Sequence, residues 1–336
     1  MSLKIRIIAI QGKQFMEKVL PMTIPPSETY QLASFMMGIM SQNKNVRNVL
    51  FNSYINLYVS KNDWGEMTLE FFDALCESYR LKGIGEMDLF YLKNISKSKC
   101  KDFLKERIEQ DNYLLLFQID EYELSYSKYY QKVHFMHDTY LYGYDDDCFF
   151  VMAYSREHLC MMEIPQQEII DGLYSMFNEE SHFCSFRIHH KAKIELSVKE
   201  ILLQVNNYLA GGTNEKGQIV GISVYGCLQD ALTQLKNSED VGITLDPKLF
   251  RALWEHKKML FLRNTHLAKK IEKLDILSSL AKEIEQKGSM LMMLTLKFNM
   301  LRDFKIIDRI EVYLSEMMGE EKRYWSFFRE ILLAES

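Results

Sequence analysis

The feature that most constrains the fold of this chain is its scarcity of residues that interrupt regular structure. Only 15 glycines and 5 prolines occur among its 336 residues, and this total of about 6% is roughly half of the usual ~12%. Collagen-like, linker-rich and glycine-turn-rich all-β proteins need far more of these residues. The sequence therefore favours long helices.

Charge and hydrophobicity narrow the class of protein further. The 41 Lys and Arg residues against 46 Asp and Glu residues leave a net charge of −5, so the chain lacks the basic surplus of a nucleic-acid binder. Hydrophobic residues make up 47% of the chain, which is enough for a sizeable core, and the length suffices for two domains. We expect a globular protein without a nucleic-acid partner.

Targeting signals and cysteine usage predict the compartment. The apolar run Ile5–Ile10 is interrupted by Arg6 and is too short for the core of a signal peptide. The stretch Met290–Leu296 is too short to span a membrane. The six cysteines include no CxxC pair and are expected to be reduced thiols. We therefore expect a cytoplasmic protein with no membrane partner.

Periodicity divides the first part of the chain into helices and strands. The run SETYQLASFMMGIM has apolar residues at helical spacing and predicts a helix with one buried face. Further helices are predicted at Met67–Leu81, with Cys76 in the core, and at Ser98–Gln110. The segments NYLLLFQIDEY and KVHFMHDTYLYGYDDDCFFVMAYS have strand character, and Asp145–Asp147 mark a hairpin turn between two strands.

The second part of the chain is predicted to be almost entirely helical. Ser197 is a candidate N-cap with Gly211–Gly212 as the stop, and Asp246–Pro247 open another helix. We predict an α+β domain with an antiparallel sheet over residues 1–195 and a helical region over residues 196–336. The apolar residues of the Met290–Met293 run are expected to form core or a homodimer surface.

A histidine in the predicted hairpin is the strongest chemical feature of the sequence. His137 begins the first strand of this hairpin. In papain-like enzymes, such a histidine is the base, a side chain of the returning strand orients it, and the nucleophile lies at the N-terminus of an earlier helix. The positive end of the helix dipole lowers the pKa of a thiol at that position.

Three segments of the chain together resemble a known bacterial family. They are PPSETYQLASFMMGIM, the hairpin HDTYLYGYDDDCFFVMAYS and the helical run WEHKKM. The family is named after the N-terminal domain of butirosin biosynthesis protein H. The resemblance implies a papain-like, C39-peptidase-related fold, a place in nonribosomal-peptide or polyketide biosynthesis, and transfer of an acyl group from a carrier-protein thioester to an amine through a catalytic cysteine.

Of the family's three catalytic residues, the resemblance finds one matched, one substituted and one missing in this chain. His137 matches the family's catalytic histidine, ahead of the Gly-Tyr-Asp turn. The family's nucleophilic cysteine precedes an Ala-Ser pair, and Ala33-Ser34 place Ser27 in that position. The family's acid falls near Ala153, where this chain has none, so Ser155 is the nearest polar candidate for the orienter. A serine nucleophile gains less from a helix dipole than a thiolate does, and loss of the orienter alone can cost ~10⁴ in rate.

Structural roles compete with these catalytic roles. Ser27 is also an ordinary N-cap candidate, and His137 also suits the core or rim of a tyrosine-rich strand. His182, Cys184 and His190 have metal-capable side chains at close spacing, but no second cluster accompanies them, so we predict no metal. Nucleotide, zinc-protease and calcium motifs are missing from the sequence, and we predict no cofactor.

Two functions follow from these observations. The first is a papain-like acyltransferase or peptidase-like protein that acts on an acyl or peptidyl group held by a carrier protein, with Ser27 as nucleophile and His137 as base. A small-molecule or peptide substrate is a further expected partner. The second is a pseudoenzyme, in which the same fold is a non-catalytic module that docks a carrier protein or a peptide product. The missing acid near Ala153 favours the second function, and the retained His137 favours the first.

Overall fold

The computed structural model describes residues 9–10, 13–14, 17–61, 66–71, 83–155, 158–237 and 244–335. Its helices are α1 (Gln31–Gln42), α2 (Val49–Asn52), α3 (Lys97–Glu109), α4 (Gln166–Ser175), α5 (Val198–Ala210), α6 (Val224–Lys236), α7 (Pro247–Ala268), α8 (Ser278–Leu301) and α9 (Phe304–Glu335). Its strands are β1 (Ala9–Ile10), β2 (Lys13–Gln14), β3 (Lys18–Val19), β4 (Leu57–Lys61), β5 (Met67–Phe71), β6 (Gly85–Tyr91), β7 (Tyr113–Asp120), β8 (Met136–Tyr144), β9 (Cys148–Ser155), β10 (His158–Pro165), β11 (His182–Ile188), β12 (Gly212–Thr213) and β13 (Ile219–Val220).

The chain is a mixed α/β protein with antiparallel sheets and a helical C-terminal region. It divides into two compact units, which combine sequence segments differently from the predicted domains. The first unit contains Met1–Arg47 and Cys76–Ile194, and the second contains Asn48–Leu75 and Glu195–Ser336. The predicted domains of 1–195 and 196–336 therefore differ from the units in residues 48–75, which belong with the C-terminal helices, and in Glu195, which belongs to the second unit.

A large antiparallel sheet forms the centre of the first unit. Its strand order is β10-β9-β8-β7-β11-β6, and β3 also pairs with β8. Leu114, Leu115 and Leu116 in β7 are all fully buried. Successive side chains of a strand point to opposite faces, so both faces of the sheet are covered at this strand. This burial explains why the sequence of β7 is continuously apolar rather than alternating.

Helix α1 is buried more completely than the predicted single face. All eight residues of Ala33–Met40 are buried, as expected for a helix that is apolar around its whole circumference. The ring of Phe35 stacks on that of Tyr140 in β8, with 4.2 Å between ring centroids. A Cβ atom on Gly38 would lie 2.6 Å from the carbonyl oxygen of Thr23, so this close backbone approach requires glycine.

Two local predictions for the first part of the chain had different outcomes. The hairpin turn at Asp145–Asp147 is confirmed, because the Asp145 carboxylate accepts hydrogen bonds from the backbone N–H groups of Asp147 and Cys148. The helix predicted at Met67–Leu81 is wrong at its start, since Met67–Phe71 form strand β5 paired with β4. A short apolar run fits both periods, and pairing with β4 decided between them. Cys76 lies outside the described residues.

The second unit combines a four-stranded sheet of order β12-β13-β4-β5 with the C-terminal helices. Both predicted N-caps are confirmed. Ser197 Oγ accepts a hydrogen bond from the backbone N–H of Glu200 at 3.2 Å, and the Asp246 carboxylate accepts one from Lys248 at 2.8 Å. Gly211 follows α5 with a φ of +59°, a conformation that favours glycine.

Two buried side chains of α7 explain why the segment after residue 48 belongs to the second unit. Arg263 and His256 are fully buried, and both donate hydrogen bonds to backbone carbonyl groups in residues 51–55. The acceptors of Arg263 are the carbonyl oxygens of Phe51 at 2.9 Å, Ser53 at 2.5 Å and Tyr54 at 3.1 Å, and that of His256 is Ile55 at 2.7 Å. Buried carbonyl groups need such partners, so the helical region completes the backbone hydrogen bonding of this segment.

Among the described helices, none combines the length and the apolar character that crossing a membrane requires.

Candidate functional site

The connection between β7 and β8 brings two histidines against two carboxylates. Strand β7 ends at Asp120, a short 3₁₀ turn spans Glu121–Glu123, and the chain returns to the sheet at Met136. The backbone N–H of Glu121 donates to the carbonyl of Phe135 at 2.9 Å, which closes the connection. The last carboxylates before the loop therefore face the histidines at its end. We call residues 120–137 the histidine loop.

The first pair in the histidine loop joins Glu121 and His137. His137 Nδ1 lies 2.7 Å from Glu121 Oε1, and because a carboxylate accepts hydrogen bonds, Nδ1 carries the proton in this contact. The other carboxylate oxygen accepts from Ser127 Oγ at 2.5 Å. The Glu121 side chain is 6% exposed, whereas that of His137 is 32% exposed. Glu121 therefore holds one imidazole nitrogen and leaves Nε2 as the nitrogen that can accept a proton.

The second pair joins Asp120 and His134. His134 Nδ1 lies 2.6 Å from the Asp120 carboxylate, which also accepts from Ser175 Oγ at 2.8 Å. Burial raises the pKa of Asp120, but hydrogen bonds from His134, Ser175 and two backbone N–H groups outweigh it and hold this pKa below its usual value. The ring of His134 stacks on that of Tyr122 at 4.4 Å. Asp120 is therefore an ionised partner that fixes the orientation of His134.

Ser27, the predicted nucleophile, lies outside the first turn of α1. The helix begins at Gln31, and Tyr30 is its N-cap residue. Ser27 is 2% exposed, so its side chain is buried in this structure. Gln31 donates a side-chain hydrogen bond to the carbonyl of Asp138, which brings the start of α1 to the residue that follows His137. Catalysis by a Ser27–His137 pair stays a prediction.

Ser155, the predicted orienter, ends β9 and pairs across the hairpin with His158. The observed partner of His137 Nδ1 is Glu121 instead. The orienter was predicted on β9, the strand that follows β8, whereas Glu121 lies in the 3₁₀ turn directly after β7, the strand that precedes β8. The signal in the sequence was the acidic run DEYE directly after the apolar residues of β7. That run also contains Asp120, whose partner His134 was not singled out.

The other residues that were considered as candidates make local contacts or are buried. His182 Nδ1 contacts the carbonyl oxygen of Glu180 at 2.7 Å, and Cys184 is buried. Within the described ranges, no group of three or more His, Cys, Asp or Glu residues is arranged to hold a metal ion.

The sequence matches no protein-family model and no curated protein.

Proposed function

We propose that this protein is a papain-like acyltransferase or peptidase-like protein of nonribosomal-peptide or polyketide biosynthesis, acting on an acyl or peptidyl group held by a carrier protein. His137 is the general base in this proposal. The observation that carries it is the 2.7 Å contact between His137 Nδ1 and the buried carboxylate of Glu121. This contact supplies the orienting acid that is missing near Ala153.

The proposed step is attack on the carbonyl carbon of a thioester. His137 Nε2 takes the proton of the attacking group as the new bond to carbon forms, and the C–S bond then breaks. The same nitrogen returns the proton to the departing carrier thiolate. Glu121 stabilises the imidazolium that exists between these two events. In a two-step reaction the attacking group is Ser27 Oγ, and the acceptor amine then attacks the acyl-serine, gives its proton to His137 Nε2 and displaces Ser27 Oγ, which takes that proton back. In a direct transfer the attacking group is the acceptor amine itself.

The two routes differ in whether Ser27 becomes acylated, so an experiment can distinguish them. Covalent catalysis requires an acyl adduct on the peptide that contains Ser27, whereas direct transfer leaves the protein unmodified. Incubation with acyl-carrier thioesters, followed by mass spectrometry of the protein and of its peptides, separates the two routes. The same samples give the rate of acyl transfer to a primary amine.

Substitutions test the role of the Glu121–His137 pair. We expect His137→Ala to abolish turnover and Glu121→Gln to reduce it by up to about 10⁴-fold, because the imidazole loses its orienting charge. Ser155→Ala is the matched control, and we expect it to leave the rate near that of the wild type. Equal rates for the wild-type protein and His137→Ala would rule out the proposed base, and equal rates for the wild-type protein and Glu121→Gln would rule out the proposed orienter.

A non-catalytic function is the second candidate, and the 2% exposure of Ser27 favours it. In this case the papain-like fold docks a carrier protein or a peptide product without cleaving a bond. The carrier then binds with equal affinity to wild-type protein and to His137→Ala, and no turnover occurs with either.

A homodimer through the helical region also belongs to the proposal, and the outward side chains of Met293, Leu296 and Met300 in α8 are available for it.

A further inference from the structure

Strand β6 is an edge of the seven-stranded sheet and is regular over its whole length. It pairs with β11 through seven consecutive residue pairs without a register shift. Backbone hydrogen bonds extend this pairing by one residue at each end, from His189 to Ile84 and from Leu92 to Ser181. Among the described strands, β11 is the only partner of β6, so the backbone groups along its outer edge face no further strand of the described sheet.

The sequence of β6 has few of the features that usually protect an edge strand. Natural edges are shortened, interrupted by bulges, or carry lysine or proline. Gly85–Tyr91 contains neither residue and shows no bulge toward β11. At seven residues it is also longer than the common strand length of ~5–6 residues. An edge of this kind can accept another strand.

One face of β6 carries an apolar surface up to this edge. Leu89 and Tyr91 are 48% and 40% exposed. The ring of Tyr91 lies 5.9 Å from that of His182 in β11, which in turn lies 5.6 Å from Phe117 in β7. Three rings on three neighbouring strands thus form a row that ends at the outer edge. An added strand with an apolar side chain at this level would extend the row.

The opposite face of β6 carries two acids, Glu86 and Asp88, and also Phe90, whose ring packs on those of Phe103 and Phe183. Side chains alternate along a strand, so Glu86 and Asp88 point away from the face of Leu89. Glu86 already pairs with Arg187, whereas Asp88 is exposed and forms no ion pair with any described residue. A basic side chain on an added strand would complement Asp88, since opposite charges on neighbouring strands attract.

We propose that the outer edge of β6 binds an extended peptide segment in which apolar and basic side chains alternate. The apolar side chains pack beside Leu89 and Tyr91, and a basic side chain lies beside Asp88. A second copy of this chain fits this edge poorly. Antiparallel pairing of all seven residues with themselves would place Asp88 opposite its own copy, and like charges across strands repel.

Fluorescence anisotropy with labelled peptides tests this proposal on the full chain. The probe is the peptide KVKVKYK, and the comparison peptides are EVEVEYE and a KVKVKYK analogue with N-methyl groups on alternate residues. We expect the basic peptide to bind, and both comparison peptides to bind at least about tenfold more weakly, because they lack the charge or the backbone donors. Equal binding of the N-methylated peptide would overturn strand addition.

Variants of the protein locate the binding edge. We expect Asp88→Lys to weaken binding of KVKVKYK about tenfold and Asp88→Asn to weaken it about threefold. Glu215→Lys changes an exposed acid of the second unit by the same charge and should leave binding unchanged. If Glu215→Lys weakens binding as much as Asp88→Lys, the attraction is general and the site is wrong. A protein dimer that the basic peptide dissociates would identify a second copy as the occupant and overturn the proposed partner.

Discussion

Two histidines of this protein have charged neighbours but differ in exposure. They are His137 in the first unit and His256 in the second. His137 donates through Nδ1 to Glu121, and its side chain is 32% exposed. His256 is fully buried and uses both ring nitrogens: Nε2 donates to the Ile55 carbonyl at 2.7 Å, and Nδ1 accepts from Lys257 at 2.9 Å. The His137 side chain is therefore partly exposed, whereas both ring nitrogens of His256 are used in contacts within the protein.

Burial and charge keep His256 neutral. Burial lowers the pKa of His256 from 6.5 to about 3, the neighbouring charge of Lys257 adds to this, and Glu321 opposes it. Lys257 and Glu321 are themselves fully buried and lie 2.6 Å apart. The comparison shows that an imidazole near a carboxylate is a functional candidate only where one nitrogen remains accessible. Three predictions test this difference.

The largest expected effect is on stability, from the buried ion pair of Lys257 and Glu321 in the second unit. Glu321→Gln leaves the buried Lys257 charge uncompensated and should lower the free energy of unfolding by about 3–5 kcal/mol. The double variant Lys257→Met with Glu321→Leu removes both charges and should recover only part of this loss, because Tyr225, Trp325 and His256 then lose hydrogen-bond partners. Urea denaturation measures each variant.

Lys273→Met is the control for this experiment, because it breaks an exposed ion pair between Lys273 and Glu335, 2.8 Å apart. Such exposed pairs contribute only about 0–1 kcal/mol. Equal destabilisation by Glu321→Gln and Lys273→Met would show that the buried pair has no special role in stability.

A smaller effect is expected in the pH dependence of stability. The pKa of His256 is lower in the folded protein than in the unfolded chain, so below about pH 6.5 the unfolded chain binds the extra proton. Stability should therefore be highest above about pH 6.5 and fall as the pH decreases toward about 3. His256→Gln should flatten this slope by up to about 1.4 kcal/mol per pH unit. Denaturation curves at several pH values measure the slope, and an unchanged slope would contradict a neutral, buried His256.

The smallest expected effect is in the histidine loop. Ser127→Ala removes one hydrogen bond to Glu121 and should lower the free energy of unfolding by about 0.5–1.5 kcal/mol. The turnover proposed above should fall only a few-fold, because the contact between Glu121 and His137 remains. Ser98→Ala, at an exposed serine of α3, is the control. An effect of Ser127→Ala as large as that of Glu321→Gln would mean that the loop is as tightly constrained as the core.

Local features of the fold were predictable wherever a few neighbouring residues decide the conformation. The N-caps Ser197 and Asp246 and the turn at Asp145–Asp147 follow from the short reach of serine and aspartate side chains to nearby backbone N–H groups. The strand at Met67–Phe71 was not predictable in this way. Its apolar pattern suits a helix equally well, and pairing with β4 decides between them.

In the candidate site, one residue was predictable from the sequence and its partner was not. His137 was identified from the sequence, because its place before a hairpin turn is a local pattern. Its partner was sought near Ser155, whereas Glu121 meets it through a connection of 15 residues between them. A local pattern contains no information on which distant carboxylate a folded loop returns to, so this partner required the tertiary structure.

The sequence by itself determined that this chain is rich in helix, with few glycines and prolines to interrupt it, and that His137 lies at a hairpin. Only the tertiary structure decided that residues 48–75 belong with the C-terminal helices, because the buried Arg263 and His256 complete hydrogen bonds to backbone carbonyl groups in residues 51–55. Tertiary structure likewise decided which imidazole stays accessible. Burial depends on contacts between residues far apart in the chain, and composition and periodicity describe only those nearby.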